Sequence, residues 1–199
     1  MSKDKHRPGW LEKMPDSKAR MADACARYKN HELKERGPDR WYISDGTSHL
    51  WAEIACLRGG RIVVIGDGLD IIVRCSDWNT STEGRLGGLA GGGAGYIAPK
   101  ADDSRKWSLG HALEEVWDLV AEWAEDLDVE DWTWERAKDL MRMLRYYDLG
   151  QDHFIEALIR DLDDAWEYDF GIVVKQDVYM AIAAARRTIE ILDKEGEDE

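Results

Sequence analysis

Residues 40–75 read as four short apolar runs separated by three glycine turns. Residues 40–44 are followed by Asp45-Gly46, 49–58 by Gly59-Gly60 and 61–65 by Gly66-Asp67-Gly68, and 69–75 close the set. Tight turns need positive φ, which glycine supplies without strain, so β-branched and aromatic runs joined this way predict an antiparallel meander. Along 50–58 the alternation sets Trp51, Glu53, Ala55 and Leu57 on one face and Ala52, Ile54 and Cys56 on the other. Residues 61–65 and 69–73 are nearly continuous apolar runs, which predicts middle strands covered on both faces. A four-stranded meander cannot cover itself, so helices elsewhere must do it.

Before the meander, residues 1–15 read as a flexible arm broken by Pro8, Gly9 and Pro15, with Trp10-Leu11 as a docking point. Asp16 or Ser17 can cap a helix carrying Met21, Ala24, Cys25, Tyr28 and Leu33, which Gly37-Pro38 stops. Helix and meander together make a segment over 16–78. Seven of the twelve residues 84–95 are glycine. Their spacing matches neither G-x-G-x-x-G nor G-x-x-x-x-G-K-[ST], so a phosphate loop is disfavoured. Residues 79–106 read as a glycine-rich connection, with a close-packed glycine helix as the alternative.

From Trp107 on, the period is helical. Leu113, Val116, Trp117, Val120 and Trp123 predict a helix near 108–127; Trp134, Ala137, Leu140, Met141 and Leu144 one near 132–148. Two more are expected near 151–168 and 175–193, with Ile172-Val173-Val174 between them as a connector or extra strand. The fold class is therefore α+β: an N-terminal helix and four-stranded antiparallel meander, then an antiparallel cluster of four helices over 107–194, and a frayed tail at 195–199.

Charge separates the two halves. The chain carries a net charge of −14, yet residues 1–40 hold 11 basic and 7 acidic residues, against 11 and 28 in 101–199. The C-terminal half repels nucleic acid and anionic membrane, and its natural partner is a basic protein. Glu122, Glu125, Asp126, Asp128, Glu130 and Asp131 beside Trp132 are the expected interaction surface. Ten tryptophans include Trp10, Trp78 and Trp132, which fit no apolar stripe and suit either an interface or the pinning of loops. Three widely spaced cysteines fit a reduced cytoplasmic setting, and no apolar leader or membrane span is evident.

Three chemistries compete with this surface. Glu114-Glu115-x-x-Asp118 and Asp161-x-x-Asp164 place carboxylates at helical spacing, where Glu115, Asp118, Asp161 and Asp164 could hold Mg²⁺. In these pairs the chain resembles all-α nucleoside-triphosphate pyrophosphohydrolases of the MazG kind, with Asp118 and Asp161 standing where that family has Glu. The resemblance implies a Mg²⁺-dependent nucleotide phosphohydrolase; otherwise no cofactor is expected. His153 with Glu156, and His111 with Glu114, could each lend two ligands to a transition metal, but no H-E-x-x-H element accompanies them. Ser44, Ser48, His49 and Asp45 lie close in sequence without a G-x-S-x-G elbow, and Cys56 and Cys75 fall in strands as core residues do.

The leading expectation is thus a non-enzymatic acidic interaction protein. It would inhibit or occlude a nucleic-acid-binding protein, in the manner of a phage or mobile-element accessory factor acting in the host cytoplasm. The alternatives are the phosphohydrolase and a homo-oligomeric assembly factor joined through the meander.

Overall fold

The fold, a computed structural model that describes residues 3–47, 50–75, 81–126, 132–146, 150–162 and 170–197, is α+β. Its main sheet has five antiparallel strands in sequence order: β1 (Glu32–Gly37), β2 (Arg40–Ser44), β3 (Trp51–Leu57), β4 (Arg61–Gly66) and β5 (Leu69–Arg74). Gly59, Gly60 and Gly68 sit in the turns at φ of 81°, 70° and 65°, as the hairpin reading requires. The helices are α1 (Lys3–His6), α2 (Ser17–Tyr28), α3 (Thr82–Gly91), α4 (Ala94–Ile97), α5 (Leu109–Glu125), α6 (Trp134–Leu144), α7 (Gln151–Ile159) and α8 (Gln176–Glu197). Two short strands, β6 (Arg105–Trp107) and β7 (Ile172–Val174), form a separate two-stranded sheet.

The fifth strand departs from the expected four. Helix α2 starts as predicted, with the Asp16 carboxylate accepting from the Ala19 amide at 2.7 Å, but it stops at Tyr28. Residues 32–37 then pair with β2 instead of continuing the helix. Leu33 lies opposite Ile43, and a bulge between Leu33 and Glu35 absorbs the extra residue. Pairing with β2 supplies backbone partners and a seat for Leu33, which outweighs a helix propensity advantage of only a few tenths of a kcal/mol per residue.

The chain divides into two compact units: Pro15–Arg105 with Val174–Glu199, and Met1–Met14 with Lys106–Val173. In the first, the inward residues of the sheet (Trp41, Ile43, Ile54, Ile62, Val64 and Ile71 among them) are buried together with α8. Residues Val178–Ala185 of α8 are all buried, as befits a helix covered on most sides. Helices α2 and α3 pack beside α8. The last helix, expected in an acidic cluster over 107–194, is thus the central helix on the sheet, and it runs through Glu197 where a frayed tail was expected.

The glycine-rich connection is ordered. Ser81 caps α3 through its hydroxyl, which accepts from the Gly84 amide at 3.0 Å, and Leu86, Leu89 and Ala90 are buried against α8 and the sheet. Three apolar anchors at helical spacing offset the entropy that its glycines cost. Arg186 Nε donates to the Ala90 carbonyl at 2.7 Å and secures the end of α3.

In the second unit α5, α6 and α7 surround a separate core that holds Trp117, Met141, Leu144, Phe154 and Leu158. Residues 3–14 of the arm expected to be flexible over 1–15 are docked here. Leu11 is buried, the His6 ring stacks on Trp134 at 4.1 Å, and Arg7 donates to the Leu11 and Glu12 carbonyls and to Glu114. Trp10-Leu11 is the docking point that the sequence suggests. Expected helix residues 163–168, with Trp166, and the loop residue Trp78 lie outside the described residues.

His31 links the sheet unit's stability to pH. Its ring is buried against Tyr28, and its carbonyl accepts from Arg187 Nε and Nη2 at 2.8 and 2.6 Å. Burial lowers its pKa below the usual 6.5 against the pull of Asp45, and Arg187 adds a smaller effect in the same direction as burial. The unfolded chain therefore binds the proton more readily. Stability is complete above about pH 6.5 and falls as pH drops through the folded-state value. Urea midpoints should fall between pH 7.5 and 5.5, and His31→Leu should flatten that fall; an unchanged slope in His31→Leu refutes the assignment.

Candidate protein-interaction surface

Helix α5 buries Ala112, Leu113, Val116, Trp117, Val120 and Ala121, which leaves its acidic residues on the outside. These carboxylates divide into two groups. Toward the N-terminal half they are used internally. Glu114 accepts from Arg7 Nη2 at 3.3 Å and from the Met14 amide at 3.0 Å. Glu115 accepts from the Gly171 amide at 2.6 Å. Asp118 accepts from Lys3 Nζ at 2.7 Å, a hydrogen bond that raises the lysine pKa.

The C-terminal half is different. Glu122 and Glu125 are exposed with no ion pair among the described residues, and Asp126 forms the C-cap. The last turn carries no basic residue. Each carboxylate here opposes the negative end of the helix dipole, at a cost of about 0.3–1 kcal/mol apiece. A helix end that gives up stability in this way concentrates negative potential. Asp128, Glu130 and Asp131, the rest of the expected surface, lie outside the described residues.

The aromatic part of the surface lies where the chain enters α6. Thr133 caps that helix through its hydroxyl, which accepts from the Arg136 amide at 3.2 Å. Trp132, just before the cap, packs on Trp123 with ring centroids 5.2 Å apart at 58°, and the Arg136 guanidinium covers its ring at 4.5 Å. A cleft of about 380 Å³ opens beside it, lined by Trp132, Arg136, Asp139, Leu140, Met143 and Asp161. Asp139 is paired with Arg142, whereas the Asp161 carboxylate has no partner among the described residues. A part-exposed tryptophan, the apolar side chains of Leu140 and Met143 and the Asp161 carboxylate in one lining suit a lysine or arginine side chain.

The structure thus brings Trp132 and Asp161 together in one cleft and separates the metal candidates. Glu115 and Asp118 are engaged with Gly171 and Lys3, Asp161 lines the cleft, and Asp164 lies outside the described residues. Among the described residues no group of three or more His, Cys, Asp or Glu is placed to hold a metal ion. His111 Nδ1 lies 3.0 Å from the Ser108 hydroxyl at the start of α5. Cys56 is a core residue whose thiol burial pushes up to about 11, which leaves it protonated and unreactive at neutral pH. Ser48 and His49 lie outside the described residues.

Sequence reasoning missed the partners of Trp132. Arg136 stands four residues on, and Asp139, Leu140 and Met143 continue the same face, a spacing that could have revealed them. Asp161 enters from another segment and left no such signal. No family model, curated protein or solved structure matches this chain. No helix among the described residues is long and apolar enough to cross a membrane.

Proposed function

We propose that this is a non-enzymatic binding protein that holds a basic protein partner at the Trp132 cleft. The observation carrying this reading is the Trp123–Trp132 pair, with Asp161 lining the same cleft and the exposed Glu122 and Glu125 forming no ion pair among the described residues. A partner lysine or arginine entering the cleft gains the tryptophan face and the Asp161 carboxylate, and the acidic end of α5 steers its approach. A partner that uses its basic surface on nucleic acid would be occluded by this contact, which is the inhibitory role the charge layout favours. Like-sign repulsion argues against direct nucleic-acid binding by the same end.

The experiment is affinity capture with wild-type and Trp132→Ala baits in parallel, followed by calorimetry on the protein lost from the variant. Trp132→Ala should weaken binding about 30-fold or more, the loss expected of a desolvated anchor. Glu122→Gln with Glu125→Gln should slow association and flatten its salt dependence. Binding that ignores both ionic strength and Trp132→Ala would remove this reading.

A further inference from the structure

The face of the sheet turned away from α8 breaks the usual rule for a half-covered antiparallel sheet. Its outward positions should be polar. Instead Tyr42, Trp51, Ala55, Val63, Ile65 and Ile72 point there, part-exposed, and belong to neither apolar core. Leu57, at the same face's margin, is 45% exposed. A contiguous apolar surface of this size marks a contact site.

The charges on this face are sorted along the strands. Glu35, Glu53 and Asp70 share one cross-strand row, through the pairs Glu35–Tyr42–Glu53–Ile65–Asp70. The next row carries Arg40 beside Ala55, Val63 and Ile72, and the one beyond it sets Arg61 directly opposite Arg74 next to Leu57. Arg40 is held by Glu53 at 2.8 Å and Arg74 by Asp102 at 2.8 Å, but Arg61, Glu35 and Asp70 have no ion pair among the described residues. Two arginines facing each other across neighbouring strands are unfavourable in the isolated sheet. An anionic group arriving from outside would relieve them.

We infer that this face is the contact of a symmetric homodimer, two copies stacked sheet on sheet about a twofold axis running across the strands. That rotation reverses strand direction and keeps β5 over β5, so Arg61 and Arg74 of one copy lie toward Asp70 of the other. The Arg40 row lies on the axis and meets its own copy, each Arg40 being neutralised by the Glu53 beside it. The face is its own complement, as an isologous interface must be. Five strands about 4.8 Å apart and about 20 Å long offer roughly 480 Å² per copy. Two such faces remove roughly 1,000 Å² from water, near the lower limit for specific association.

Sedimentation velocity of the full chain between about 1 and 100 µM should show a monomer–dimer equilibrium. Val63→Asp, at the centre of the face, should abolish the dimer. Arg61→Glu with Arg74→Glu, and separately Glu35→Arg with Asp70→Arg, should each weaken it at least about tenfold through like-charge repulsion. An equimolar mixture of these two double variants should recover a dimer of wild-type strength, because each then meets an opposite face. All four charge positions are exposed, so these variants test the interface even if Val63→Asp misfolds. A monomeric wild type at 100 µM, a dimer indifferent to the charge variants, or a mixture that stays monomeric would each overturn the inference.

Discussion

Trp117→Ala should lower the stability of the helical unit by about 4 kcal/mol, the cost of deleting a fully buried tryptophan and leaving its cavity. Trp117 has no exposed surface and sits in the core formed by α5, α6 and α7. Its ring lies 6.1 Å from Trp134, on which the His6 ring also stacks at 4.1 Å and 14°. Loss of Trp117 therefore reaches the N-terminal arm through Trp134. Urea titration should show the loss as a shift in midpoint, with a melting temperature lower by about 15–30 °C. Amide exchange in residues 3–14 should quicken in parallel. A loss under about 1.5 kcal/mol, below the range for a buried aromatic, would mean that this core is not packed as described.

Gly171→Ala should cost about 3 kcal/mol, from backbone strain and collision together. Gly171 adopts φ +74°, where a side chain is disfavoured. A Cβ added there would lie 2.7 Å from Ala112 Cβ and 2.7 Å from the Ser108 carbonyl. The same residue donates its amide to Glu115 and accepts from the Ser108 amide at 2.9 Å, so it cannot shift without breaking both bonds. Gly150 provides the control, since it has φ +100° but nothing within 4 Å of an added Cβ. Gly150→Ala should cost its backbone part alone, about 1–3 kcal/mol, because φ +100° with ψ 173° is a conformation essentially confined to glycine. A loss under about 1 kcal/mol at Gly171 would show that neither strain nor packing constrains that position.

Local signals in the chain told much of the fold, and long-range ones did not. Strands β2 to β5 were legible because their turns announce themselves through glycine, and α5 and α6 because their apolar stripes are long. β1 was not, because Glu32–Gly37 has helix-favouring residues and becomes a strand only through its pairing with β2. The assignment of α8 to the sheet was hidden for a related reason: a helix's own period says which side is apolar, not which surface it meets. The surface itself was half legible. Trp132 and the carboxylates beside it stood out by composition, whereas Asp161 reached the cleft through folding alone. The roles of Glu115 and Asp118 as internal acceptors also depended on Gly171 and Lys3, residues distant in sequence.

The position of α8 has a consequence for synthesis. The strands it covers are complete at Arg74, and the helix begins at Gln176. At ribosomal speeds of about 5–20 residues per second, roughly five to twenty seconds separate the two. During that interval Ile54, Ile62, Val64 and Ile71 have been made but their cover has not. The nascent chain thus presents a hydrophobic surface to chaperones while the intervening helices are translated, and the sheet unit closes only after α8 has emerged.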